Sequence, residues 1–313
     1  MLWFSSVHPY SIGVEMAGDH VQLAQLGRKG QQLYLLAGDS MYLPESIEPG
    51  SVDWQRWAIK ALRSAVQKGM YKGRNVAAVA GAGEVIIKHI KASGVSEKEI
   101  DEYIFSKLEH RLKLTKSDSI IKYIRGNKDN LVVLVSSREK IDRQVAVYEQ
   151  SGLQVQSVTV WPLALTESYV NFFSRRNSDA QTVAMLIDME PDRTNVVICR
   201  QRDVLFAHSI DGGINDFAEK SKTEKLLSEL SVCKDQFYSM YEGTYIQRLL
   251  FFSCQLLSPE NCLLISRHLQ MASHLGDCLG AVEMDKGVSL RIDRRQSRYS
   301  WATVFGLSLG FKK

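Results

Sequence analysis

At 313 residues the chain has the length of two domains, and 45% apolar against 24% charged residues is ordinary globular composition, which excludes a disordered, collagenous or fibrous protein. With 39 Lys plus Arg against 35 Asp plus Glu, the formal charge is only +4, too even for bulk electrostatics to imply nucleic acid. No apolar run approaches the roughly 18 residues that cross a bilayer, and the first basic residue is Arg28, so the start lacks a signal peptide's charged segment and a soluble, cytoplasmic protein is expected.

Residues 11–26 form two short apolar runs broken by Gly18 and Asp19, and residues 33–37 continue after Gly27 and Gly30, which predicts a β-meander. Over 53–67, Trp54, Trp57, Ala58, Ala61, Leu62, Ala65 and Val66 recur at three- and four-residue spacing, an amphipathic helix ending near Gly69. Residues 75–80, between Gly73 and Gly81, suit a buried strand. The pattern changes at Val85. A strand over 85–90 leads to a helix opened by Ser96 and Glu99, whose spacing allows reciprocal capping, with Ile100, Ile104, Leu108 and Leu112 facing inward. Strands over 119–124 and 131–136 flank the turn pair Gly126 and Asn127, followed by a helix over 138–150 stopped by Gly152 and a strand over 155–160. This β-α-β-β-α-β order reads as an inserted subdomain. Pro162 begins a helix over 163–173, and the polar run 174–181 is the best linker candidate. Three more strands, 183–187, 194–199 and 204–210, make a second meander; Gly212 and Gly213 then break the chain before a long helical stretch that includes 226–241.

The five cysteines (Cys199, Cys233, Cys254, Cys262, Cys278) contain no C-x-x-C pair, and none of the seven histidines falls in an H-E-x-x-H pattern. Reduced, mostly buried thiols are expected, without a disulfide framework or metalloenzyme chemistry.

The two meanders echo one another. Aligning Glu15 with Asp188 places Val14 on Ile187, Met16 on Met189, Asp19 on Asp192, Leu23 on Val196 and Leu26 on Cys199 without a gap. Two acid-tipped hairpins facing one another across a cleft are the arrangement of the actin-like, ribonuclease-H-like ATPase fold. In that chemistry the free amides of tight turns cradle phosphates and the acids hold magnesium through water.

The sequence resembles a specific family on this fold, the type IV pilus assembly protein PilM, a relative of the cell-division protein FtsA. The stretch from Ile12-Gly13-Val14-Glu15 to Val21-Gln22-Leu23 corresponds to the family's first hairpin, and Asp188-Met189-Glu190-Pro191-Asp192-Arg193-Thr194-Asn195 to its second. Ser96 to Ile100, Val158-x-Val160-x-Pro162-x-Ala164-Leu165, Ile210 to Gly213 and Phe305-Gly306-Leu307-Ser308-Leu309 match later motifs in order and spacing, so the resemblance runs from about Ile12 to Leu309.

The resemblance implies an α/β, two-lobed actin-like fold with the inserted subdomain in the first lobe. Residues 1–84 would form the first subdomain, completed by 159–178 and a C-terminal helix over 299–313; the insertion would span 85–158 and the second lobe 179–298. It implies a cytoplasmic scaffold of a type IV pilus or related type II secretion-like machine, attached peripherally to the inner membrane. The expected partner is a PilN-like protein whose N-terminal tail lies in a groove between the first domain and the insertion, walled by Val85, Ile87, Lys91, Tyr103, Phe105 and Leu108. A PilO-like protein, a pilus assembly ATPase and self-association are further expectations; nucleic acid is not. The basic run 291–298 reads as a solvated loop.

The departures from the family pattern fall at the nucleotide. Ala17 replaces a glycine, Asp19 a serine and Gln22 a lysine, while Glu190 and Pro191 replace Gly-Ala. Pro191 removes an amide donor, and Glu190 with Asp192 adds negative charge where phosphate oxygens would lie, at up to roughly 4 kcal/mol per close pair, which Arg193 would partly offset. The adenosine-side glycine loop aligns with Phe252-Ser253-Cys254-Gln255, which has none. Glu15, Asp188, Thr194, Asn195, Gly212 and Gly213 survive as a vestigial or weak nucleotide cleft, with no catalytic residue assigned. Two readings follow: a scaffold without a cofactor, or an active actin-like ATPase in which Glu15 and Asp188 hold magnesium while Thr194 and Gly213 contact ATP.

Overall fold

The computed structural model describes residues 7–68, 71–126, 129–253, 257–284 and 300–310. Short apolar runs build the first meander, β1 (His8–Met16), β2 (His20–Lys29) and β3 (Gln32–Tyr42), all antiparallel. Helix α1 (Val52–Gln67) starts at Ser51, whose hydroxyl accepts from the Trp54 amide, and buries Ala58, Ala61, Leu62, Ala65 and Val66, the stripe its spacing predicts. The strand β4 (Asn75–Ala80) returns parallel to β1. There follow β5 (Val85–Lys91), α2 (Ile100–Leu112), β6 (Ser119–Arg125), β7 (Asn130–Ser137), α3 (Arg138–Gln150), β8 (Gln154–Val160) and α4 (Trp161–Phe172). The second meander is β9 (Val183–Met189), β10 (Arg193–Arg200) and β11 (Asp203–Asp211), continued by α5 (Lys220–Met240), β12 (Arg248–Ser253), α6 (Pro259–Leu269), β13 (Ser273–Leu275), β14 (Glu283–Met284) and α7 (Ala302–Leu309). Among the described residues no helix is long and apolar enough to cross a membrane.

The chain divides into two units, one comprising Met1–Gly81, Asp142–Phe172 and Asp277–Lys313, the other Ala82–Ile141 and Phe173–Gly276. Within the first, the sheet runs β14-β3-β2-β1-β4-β8; within the second, β11-β10-β9-β12-β13. Apart from β14 the two orders are the same, and the register of β1 on β2 and β4 repeats in that of β9 on β10 and β12. Glu15 pairs with Gln22 and Ile12 with both Gln25 and Val76; Asp188 pairs with Asn195 and Met185 with both Ile198 and Leu249. The displacement that carries Glu15 onto Asp188 also carries Gln22 onto Asn195 and Val76 onto Leu249, so the echo extends from the hairpin through the intervening helix to the fourth strand. Two corresponding cores result, one with Ile12, Val14, Leu62 and Val76, the other with Met185, Ile187, Leu230 and Leu249.

The C-terminal helix α7 explains its small residues. A Cβ on Gly306 would lie 1.9 Å from the Ala164 carbonyl oxygen of α4, and one on Gly13 would lie 2.0 Å from that of Val304, so α7 packs backbone to backbone against both α4 and β1. Ser308 secures it, accepting from the Leu26 amide at 2.9 Å and donating to the Ser11 carbonyl at 2.7 Å.

The insertion differs from its predicted extent. It is a three-stranded sheet, β5-β7-β6, with α2 laid on one face through Ile100, Ile104 and Leu108. The last two elements expected in it belong elsewhere: α3 places Val147 and Tyr148 in the first unit's core, and β8 pairs with β4. Its compact limits are therefore 82–141 rather than 85–158, and it groups with the second unit. That unit ends at Gly276 rather than at 298, because β14 pairs with β3. The free face of the inserted sheet meets β11: the His89 ring stacks on Phe206 at 4.5 Å and 5°, its Nε2 lies 3.0 Å from the Ala207 carbonyl, and Asn130 Nδ2 donates to the Met240 carbonyl at 3.2 Å.

Two further local expectations are corrected. Ser96 and Glu99 do not cap reciprocally; the hydroxyl bonds the carboxylate at 2.6 Å and the helix begins at Ile100, three residues later than that cap would place it. The polar run 174–181 is pinned rather than loose, because Arg248 donates to the Phe173 carbonyl at 2.7 Å and to Asp179 at 3.2 Å. Cys199, Cys233, Cys262 and Cys278 are buried; Cys254, Gly69, Asn127 and the basic run 291–298 lie outside the described residues.

Candidate functional site

Of the six residues assigned to a nucleotide, Glu15 belongs to the first unit and Asp188, Thr194, Asn195, Gly212 and Gly213 come together in the second. Glu15 is the penultimate residue of β1, opposite Gln22, a residue 1% exposed whose Nε2 is 3.5 Å from Ser300 Oγ. The turn beyond it is closed by its own groups. The Ala17 amide donates to the His20 carbonyl at 2.9 Å, the Trp54 indole to the Gly18 carbonyl at 3.0 Å, and the Leu43 amide to the Asp19 carbonyl at 2.8 Å. The Asp19 carboxylate bonds His20 Nδ1 at 2.7 Å; burial pushes its pKa up, but the hydrogen bond and charge of His20 outweigh that and hold it below the usual value. The acid standing at a serine position is thus occupied by its neighbour.

In the second unit Asn195, 1% exposed, is the hub. Its Nδ2 donates to Glu190 Oε1 at 2.9 Å and lies 3.5 Å from Asp188 Oδ2, while its Oδ1 accepts from the Ser209 hydroxyl at 2.9 Å. Arg193 Nη1 reaches Ser209 Oγ and Asp211 Oδ1, each at 3.3 Å, offsetting part of the acidic charge. Thr194, fully buried, donates its hydroxyl to the Gly212 carbonyl at 2.8 Å.

The glycine turn after β11 is packed onto this hairpin. A Cβ on Gly213 would sit 2.2 Å from the Glu190 carbonyl oxygen, and Gly212 has φ +153°. Four successive amides of the turn are engaged internally: Gly212 to the Asp192 carbonyl at 3.1 Å, Gly213 to the Asp216 carboxylate at 3.2 Å, Ile214 to the Glu190 carbonyl at 3.0 Å and Asn215 to the Pro191 carbonyl at 2.9 Å. A phosphate entering here would have to displace the Asp216 carboxylate and face Glu190, so the donor set of this turn does not fit an anion. Asp216 escaped the sequence reading, although an acid three residues beyond the capping position is the signal that finds such a contact.

The six residues assigned to a partner do not share one surface. Strand alternation puts Val85 and Ile87 on the face of the inserted sheet that carries His89, whereas Leu108 packs on the opposite face under α2. Val85 and Leu108 are buried. Ile87, Tyr103 and Phe105 are half-buried and Lys91 is exposed. Tyr103 donates its hydroxyl to the Lys91 carbonyl at 3.1 Å, tying α2 to the end of β5, and the Lys116 ammonium lies 5.0 Å from the centre of the Phe105 ring.

No protein-family model matches the chain, and no curated protein matches it by sequence. Among solved structures, a chain of the PilM-PilN type IV pilus biogenesis complex superposes with a TM-score of 0.76 at 15% identity, covering 96% of this chain and 98% of that one. The ethanolamine utilization protein EutJ from Carboxydothermus hydrogenoformans matches at 0.52 with 10% identity, over 97% of this chain and 91% of its own. A protein of actin-like ATPase fold from Bacteroides thetaiotaomicron matches at 0.50 with 10% identity, over 90% and 96%. The repeated sheet order, the repeated register and these likenesses agree: the chain has the actin-like fold, in the form also seen in the pilus assembly protein its motifs resemble.

Proposed function

We propose that this protein is a cytoplasmic scaffold of a type IV pilus or a related type II secretion-like machine, held at the inner membrane by the N-terminal tail of a PilN-like partner. The observation that carries the reading is the fold shared over 96% of the chain with a protein solved as part of a PilM-PilN complex. The ordered motifs from Ile12 to Leu309 support it. An extended tail would combine backbone hydrogen bonds with side-chain pockets, and of the contacts assigned to it Lys91, Tyr103 and Phe105 remain accessible beside the end of β5. A PilO-like protein, the pilus assembly ATPase and a second copy complete the proposed set of partners.

The scaffold is further proposed to work without nucleotide or magnesium. The engaged amides from Gly212 to Asn215 and the acids at Glu190 and Asp216 support this. The test is co-purification with candidate inner-membrane partners, intact or lacking their first residues. Retention of the intact partner and loss of the truncated one is expected, and retention of both refutes the docking mode. A fluorescent ATP analogue titrated with and without magnesium is expected to give no saturable binding; saturation at micromolar concentration would return the ATPase reading, with Glu15 and Asp188 holding the metal.

A further inference from the structure

The first unit carries a basic surface with little to balance it. Between Asp53 and Glu84 the sequence holds no acid and six basic residues, Arg56, Lys60, Arg63, Lys68, Lys72 and Arg74, all exposed. Arg56 meets Asp53 at 3.0 Å; among the described residues none of the other five meets a carboxylate. Packing gathers those five. Lys60 and Arg63 are neighbours on the exposed stripe of α1, and Lys68 follows at its C-cap. Arg63 donates to the Gln150 carbonyl at 2.7 Å and Arg74 to the Gly152 carbonyl at 3.4 Å, so both guanidinium groups converge on the turn between α3 and β8. Their acceptors are neutral, and the acid that the sequence sets at this turn is the exposed Glu149. The loop bearing Lys72 is clamped from below: Gln25, 1% exposed, donates to the Lys72 carbonyl at 2.8 Å and accepts from the Lys72 amide at 2.7 Å, while the Tyr71 hydroxyl donates to Asp39 at 3.0 Å.

The aromatic residue between Lys60 and Arg74 is Tyr71, and it is buried, so it offers no face on which a base could stack. The guanidinium forks of Arg63 and Arg74 are already set on carbonyls, which leaves their charge but not a fork shaped for a base edge. A spread of exposed point charges on a rigid support suits a plane of opposite charge. We propose that this surface binds an anionic phospholipid bilayer directly, with headgroup phosphates against Lys60, Lys68 and Lys72 and with Arg63 and Arg74 adding to the field. The choice of a bilayer among polyanions rests on the scaffold reading above, to which it adds a second, weaker attachment beside the partner's tail.

The probe is the purified full chain, without a partner, floated with vesicles of phosphatidylethanolamine and phosphatidylglycerol at about two to one, and with vesicles of phosphatidylcholine alone. Saturable binding to the anionic vesicles, none to the neutral ones, and loss of binding between about 0.05 and 0.5 M salt are expected. Lys60→Gln, Lys68→Gln and Lys72→Gln together should weaken binding about a hundredfold, about fivefold for each charge, at an unchanged urea midpoint. Lys98→Gln, Lys220→Gln and Lys225→Gln together, on the second unit, change the net charge equally and should weaken it less than about threefold. Equal binding to neutral vesicles, no binding to anionic ones, or an equal loss in the two triple variants overturns the proposal. So does duplex DNA that displaces the vesicles at equal phosphate concentration, since the occupant would then be nucleic acid. Vesicle binding is read without a partner and tail docking without vesicles, so each reading can fail alone.

Discussion

Gly306 shows how a single hydrogen can be a structural requirement. Its missing Cβ leaves room for the Ala164 carbonyl, and carbonyl oxygens on α4 cannot swing aside as a side-chain tip can. Gly306→Ala is therefore expected to cost about 3 kcal/mol through overpacking, read as a lower urea midpoint at unchanged slope; a shift worth less than about 1 kcal/mol would mean that α7 slides freely on α4. The same reasoning separates what is legible at single positions from what is not. The acids at Glu15 and Asp188 are visible because the duplicated hairpin fixes their place. What Asn195 and Asp216 do is decided by partners brought near by folding, Glu190 and Ser209 for the first and the Gly213 amide for the second. Residue identity announces a hydrogen-bonding group; only the register tells which group it will meet.

Helix α1 is legible because one face is buried and period and burial coincide, and the meander strands because they are continuous short apolar runs bounded by turn residues. Element type does not specify the sheet an element joins, and the assignment of α3 and β8 to the insertion foundered there: their local patterns suit either sheet, and only the pairing of β8 with β4 decides. The joint between β5 and β11 carries a pH dependence of its own. Burial against Phe206 lowers the His89 pKa to about 4, the bond to the Ala207 carbonyl opposes this, and the charges of His208 and Lys88 add to the lowering. A carbonyl only accepts, so Nε2 carries the proton of the neutral ring, and among the described residues the buried Nδ1 has no hydrogen-bond partner to stabilise a second proton. A base whose folded pKa lies below its unfolded value near 6.5 contributes its stability in full above that pH and loses it as pH falls toward 4. The loss is expected to be about 3 kcal/mol across that window. His89→Phe keeps the stacking and removes the titration, so the difference between the wild-type and variant urea midpoints should fall steeply between those pH values. A difference that stays constant with pH would exclude His89 as its source.

At the scale of the whole molecule, the sequence order of segments and their grouping into compact units diverge. The first unit is assembled from three separated stretches, and the insertion, although it leaves and re-enters the chain between β4 and β8, shares its packing with the second. Neighbours in sequence such as β7 and β8 therefore belong to different compact units, while β4 and β8, far apart in the chain, belong to one. Cooperative units open together, so native-state hydrogen exchange under increasing denaturant should group their amides by packing rather than by chain position. The amides of β8 and the second half of α3 are expected to merge onto the isotherm of β1 and β4, and those of β5 and β7 onto that of β9 to β12. The pairing is sharpest at one boundary: Val133 and Leu134 in β7 should follow Leu186 in β9, while Val158 and Thr159 in β8 should follow Ala78 and Val79 in β4. Should β8 track β7 instead, the predicted β-α-β-β-α-β insertion would be the true cooperative unit, and the contacts of His89 with Phe206 and Ala207 would be a surface touch rather than a shared core.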